Sequence, residues 1–114
     1  MPDSNTVIIV TRNGMGEADP TLQLKLMGTY LKLLDEHDLL PGAICFYTEG
    51  VRLAVEGSPV LETLQSLERK GVHLILCSTC LNYFNLLDKA KVGIVGGMGD
   101  ILEAQHLATK VITI

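Results

Sequence analysis

The chain has 114 residues, enough for one domain (1–114) with a real core. Hydrophobic residues make up 47% and mean hydropathy is +0.32, yet no apolar stretch approaches the roughly 20 residues of a bilayer span, and Met1 to Asn5 lacks a secretory pattern. The net charge of -4 with scattered Lys and Arg argues against nucleic-acid binding, and three cysteines fit a reduced cytoplasmic setting better than a disulfide framework.

Thr6 to Thr11 is a continuous β-branched and apolar run, the pattern of a strand buried on both faces. Gly14 and Gly16 break it, and Asp19-Pro20 signals a helix start, with Asp as N-cap and Pro at the first helical position. The helix predicted over 20–37 carries two stripes. Leu24, Met27, Leu31 and Leu34 would pack on the sheet, whereas Leu26, Tyr30 and Leu33 need another partner, either a neighbouring subunit or further core.

Pro41-Gly42 marks a turn before a second buried strand, 43–47, followed by Thr48, Glu49 and Gly50. A short helical segment ends at Gly57, and Ser58-Pro59 opens a helix striped by Val60, Leu61, Leu64 and Leu67 that stops at Gly71. The third strand, 72–76, runs into Cys77-Ser78-Thr79-Cys80, and 81–89 is apolar enough to continue as a helix. A fourth strand over 92–95 meets the turn Gly96 to Asp100. Ile101, Leu102, Gln105 and Ala108 then fall at helical spacing, and 111–114 is a fifth strand. This alternation predicts an α/β fold, a three-layer α/β/α sandwich on a parallel sheet of about five strands.

In such a sheet the turns after the first four strands open on one edge, the default position for a site. That edge collects Gly14, Gly16, Glu49, Gly50, Cys77, Ser78, Thr79, Cys80, Gly97 and Met98. Cys77 and Cys80 are the candidate catalytic residues and the others candidate ligand-binding ones. Amides at a helix start are expected to lower a thiol's pKa, and a thiolate can attack a disulfide, a persulfide sulfur or an electrophile. Packing of a strand–helix corner is the bland alternative, and it is the preferred reading for Cys45 inside the second strand. A metal site would need two more ligands, but there is no second CxxC, and His37, His73 and His106 lie in different elements, so no metal or cofactor is expected. A thioredoxin-like exchanger would place a proline after the cysteines, and none follows Pro59. Gly14-Met15-Gly16 lacks the third glycine of a dinucleotide fingerprint, and Gly96 to Gly99 reads more readily as a tight turn than as an anion cradle.

Cys77-Ser78-Thr79-Cys80-Leu81-Asn82-Tyr83-Phe84, with Phe46 to Leu53, Leu61 to Gly71, Val92-Gly93 with Met98, and Lys110 to Thr113, resembles the DsrE/DsrF-like sulfur-relay family, most closely the DsrE-like domain of YedF-type selenium-metabolism proteins. The resemblance implies a homo- or hetero-oligomer and a cysteine that carries persulfide sulfur between a donor and an acceptor protein. It favours Cys77 over Cys80, and it implies that a partner supplies the CPxP-bearing carrier domain of YedF-type proteins. The chain departs from the pattern at Ser78, usually glycine, at Thr48, commonly asparagine, and at Gly96-Gly97, usually a polar pair. A non-catalytic binding or assembly subunit of the same fold is the alternative.

Overall fold

The computed structural model describes residues 2–114. Five strands, β1 (Asp3–Val10), β2 (Pro41–Phe46), β3 (His73–Cys77), β4 (Ile94–Gly96) and β5 (Lys110–Thr113), form one sheet in the order β4-β3-β2-β1-β5. Every neighbouring pair is parallel. The helices are α1 (Pro20–Glu36), α2 (Leu61–Arg69), α3 (Ser78–Tyr83) and α4 (Met98–Leu107), with 3-10 turns at Thr48–Ala54 and Leu87–Lys89.

The strand order fixes the layers. From β1 to β4 the chain steps across the sheet in one direction, so right-handed crossovers place α1 and α2 on the same face. The return from β4 to β5 passes the whole sheet in the opposite direction and carries α4 to the other face. Lys70, just beyond α2, clamps the first pair: its Nζ reaches Asp35 Oδ1 at 3.0 Å and Asp38 Oδ1 at 3.2 Å. The return ends with Thr109, whose N–H and hydroxyl both donate to the Asn5 carbonyl before β5 lies along β1.

The core follows the predicted pattern where the strands are central. Val7 to Val10, Ile44 to Phe46, Leu74 and Leu76 are buried, as are Met27 and Leu31 of α1 and Leu64 and Leu67 of α2. Each such side chain contributes about 1.5–3 kcal/mol through its removal from water. Asp19 caps α1 as expected, accepting from the Thr21 N–H at 2.9 Å.

Several expectations are corrected. The predicted helix over 81–89 is two pieces, because Asn85 adopts a left-handed φ of 58° and the Leu86 N–H closes onto the Leu81 carbonyl. Ser58 accepts from the Val60 N–H in a turn, and α2 itself starts at Leu61. On α4 only Ile101 is buried, and Leu102 points outward, because a single helix on that face touches the sheet along a narrow line. The apolar runs of β4 and β5 are open edges, with Ile94, Val95 and Val111 exposed. No helix among the described residues is long and apolar enough to cross a membrane.

Candidate functional site

The thiols stand where β3 ends. Cys77 is its last residue and the N-cap of α3, with its side chain buried against the core, and its register partner on β4 is Gly96. Cys80 lies one turn into α3 and is partly exposed. Neither thiol, nor that of Cys45, is in a disulfide.

Cys80 is held from another element. Its Sγ accepts a hydrogen bond from the Thr48 N–H at 3.0 Å, from the turn that follows β2. Thr48 has φ 48°, and its hydroxyl lies 2.7 Å from the Thr11 carbonyl oxygen and 2.8 Å from that of Tyr47. Gly50 completes this junction: a Cβ there would stand 2.2 Å from the Val10 carbonyl oxygen, so only glycine lets the 3-10 turn lie against the end of β1. Burial raises the Cys80 pKa and the Cys77 thiol pushes the same way, while the Thr48 amide opposes them; the net direction is up. The expected lowering by α3 is thereby corrected. That helix is six residues long, and the amide recorded on the sulfur comes from 32 residues away.

Around the thiols lies a small aromatic and charged rim. The Arg52 guanidinium sits 4.4 Å from the centre of the Phe84 ring and also pairs with Glu49. Phe84 packs edge-on to Tyr83, which is 82% exposed. The cation–π contact joins the end of α3 to the 3-10 turn, while the T-shaped pair packs two adjacent residues at that end.

The predicted residues are therefore only partly gathered. Cys77, Ser78, Thr79 and Cys80 share one turn, and Glu49 and Gly50 adjoin it through Thr48 and Arg52. Gly14 and Gly16 are instead engaged with the start of α1. Gly14 (φ 142°) packs on Gln23, whose side-chain amide donates to the Gly16 carbonyl at 2.6 Å. Gly97 and Met98 open α4 at the sheet edge, where the Gly97 N–H donates to the Asp100 carboxylate at 2.8 Å and Met98 is half exposed. Sequence reasoning did not single out Arg52 or Phe84 as site residues. Thr48 stood out only as a departure from the family pattern at the site edge, with no role attached to it.

Two apolar hollows lie elsewhere. One of about 520 Å³ lies between α1 and the β1–β5 edge, lined by Tyr30, Leu33, Leu34, Leu39 and Ile112. The other, about 480 Å³, lies on the α4 face beside Ala43, Ile75, Ala104 and Leu107. Neither is lined by a cysteine. Among the described residues no group of three or more His, Cys, Asp or Glu is placed to hold a metal ion.

No curated protein matches the chain. Among solved structures it is similar to the YchN protein of E. coli, with TM-score 0.72 and 18% identity over 100% of both chains. It is also similar to MTH1491 of Methanobacterium thermoautotrophicum, with TM-score 0.67 and 20% identity over 96% of this chain and 97% of that one. For BT1422 of Bacteroides thetaiotaomicron the TM-score is 0.63 at 14% identity, over 96% and 95%. At these identities the likeness concerns the fold. The DsrE/DsrF-like family matches residues 5–114, nearly the whole length, and the chain belongs to that family.

Proposed function

We propose that the protein is a sulfur-relay subunit, a sulfurtransferase or sulfur carrier, that holds persulfide sulfur on Cys80. The observation that carries this reading is a partly exposed cysteine in the first turn of α3, just beyond β3, whose sulfur already accepts a backbone N–H. Membership of a family associated with sulfur relay supports it. Accessibility moves the role from Cys77, the residue favoured by resemblance, to Cys80, since Cys77 is 1% exposed and an incoming donor cannot reach it. Free thiols on this reading suit a reducing compartment such as the cytoplasm.

The chemistry is a sulfur transfer without net oxidation. The Cys80 thiolate attacks the outer sulfur of a donor persulfide, the donor's S–S bond breaks, and the departing donor thiolate takes up a proton. Cys80 is left carrying the extra sulfur. An acceptor thiolate attacks that outer sulfur in turn and releases Cys80 as a thiolate. Cys77 offers a second exit: its thiolate attacks Cys80 Sγ, expels hydrosulfide, and leaves a Cys77–Cys80 disulfide that an external dithiol protein must reduce.

Incubation of the reduced protein with a cysteine desulfurase and cysteine tests the proposal by intact mass. Wild type and Cys77→Ser should gain about 32 Da, one sulfur, and Cys80→Ser should not. No adduct on the wild type would sink the reading. The second reading, an assembly subunit, is favoured by one observation: Leu22, Leu26 and Leu33 lie exposed along α1. On that reading Cys80 is inert, and rapid alkylation of Cys80 at neutral pH would count against it.

A further inference from the structure

Thr48 is in a conformation its side chain disfavours. A β-branched residue rarely takes a left-handed φ, here 48°, because its Cβ substituents crowd the backbone, and such outliers persist where the surroundings hold them. Three contacts do so. The Tyr47 N–H donates to the Val10 carbonyl at 3.1 Å, the Thr48 hydroxyl meets the Thr11 carbonyl at 2.7 Å, and Gly50 presses against Val10. All three anchor the turn after β2 to the end of β1, the neighbouring strand. The product of this arrangement is the direction of one N–H, which points out of the turn and onto Cys80 Sγ at 3.0 Å.

We propose that Thr48 is a positioning residue: its hydroxyl, tied to the end of β1, holds its own backbone amide on Cys80 so that the sulfur meets a fixed donor whenever it becomes anionic. The inference rests on the proposed role of Cys80 as the sulfur-bearing thiol. Negative charge appears on that sulfur twice in a transfer cycle, when the thiol is activated for attack and when it leaves as the acceptor takes the sulfur. A donor already in place needs no rearrangement at either moment. The side chain that adopts the left-handed conformation also supplies the bond that holds it.

The test separates the hydroxyl from the shape of the side chain. Thr48→Ser keeps the tether, and Thr48→Val keeps the branched shape without it. Iodoacetamide labelling, resolved by peptide mass so that Cys80 alone is read, is followed as a function of pH. Wild type and Thr48→Ser should share one profile. For Thr48→Val the profile should move to higher pH, with labelling at neutral pH slowed about three- to tenfold. Thr48→Gly carries no left-handed penalty and folds even if the valine variant does not; it too should move upward, since the tether is lost. A profile unchanged in every folded variant without the hydroxyl overturns the proposal. The persulfide assay on the same proteins keeps the two ideas apart. A shifted profile in a protein that takes no sulfur leaves the positioning role standing and removes the relay. Normal sulfur uptake with an unshifted profile does the reverse.

Discussion

Cys45 lies in the middle of β2 with no exposure, in register with Ile9 on one side and Ile75 on the other. Burial pushes its thiol up to about 11. The folded protein thus keeps this proton in a range where the unfolded chain, whose thiol titrates near the ordinary value of 9.0, has lost it. The unfolded state then binds fewer protons, and stability falls as pH rises. The contribution is fully present below about pH 8 and declines from about pH 9 to 11, by on the order of 2–3 kcal/mol. Urea unfolding of the wild type and of Cys45→Val should show this alkaline decline in the first and its reduction in the second. Equal decline in both would assign it to other groups. Cys80 has the same side chain, but the residue is only partly buried and its sulfur accepts from a backbone donor. The sequence distinguished these two cysteines by position alone, one inside an apolar run and one beyond it. It held no sign that the donor on Cys80 would come from Thr48, because a left-handed threonine contradicts its own propensity and arises only from contacts with Thr11 and Val10.

At the scale of elements, the site depends on the 3-10 turn Thr48–Ala54 lying tight against the end of β1. Gly50→Ala would drive a methyl group into the Val10 carbonyl, which belongs to a central strand and cannot yield cheaply. We expect a loss of about 2–3 kcal/mol, read as a lower urea midpoint at unchanged slope. Cys80 labelling should change in the same variant, as the amide of Thr48 moves with its turn. A midpoint within error of the wild type would show that the turn has slack. The elements themselves were legible wherever a local rule governs them. Asp19-Pro20 began α1, Gly71 followed the end of α2, and β-branched runs marked β1 and β2. The break at Asn85 was not, since the apolar residues on both sides, Leu81 and Leu86, close onto each other across it. Apolar periodicity records which residues avoid water; it does not record where a helix ends.

The whole molecule presents apolar margins on α1 and on both edges of the sheet. Leu22, Leu26 and Leu33 line the outer side of α1, and Ile94, Val95 and Val111 lie on the two sheet edges. We expect self-association through the α1 margin, where Leu26 and Leu33 of the second stripe stay exposed while Tyr30 packs against the core. Sedimentation at micromolar concentration should show an oligomer for the wild type and a smaller species for Leu26→Glu with Leu33→Glu. A monomeric wild type would sink this expectation. The layer architecture followed from the alternation of strands and helices. The strand order did not, because a single sequence holds no record of which strands pair.

That order has a kinetic side. Asn5 and Thr109 are bonded across 104 residues, and β5 completes the pairing of β1 only when nearly the entire chain has been drawn into one loop. The pairing of β1 with β2 and of β2 with β3 closes much shorter loops and places Thr11, Thr48 and Cys80 in their final relation. The loop-entropy cost therefore falls most heavily on the strand farthest from the thiols, and the half of the sheet that carries the chemistry has the shorter route to its native contacts.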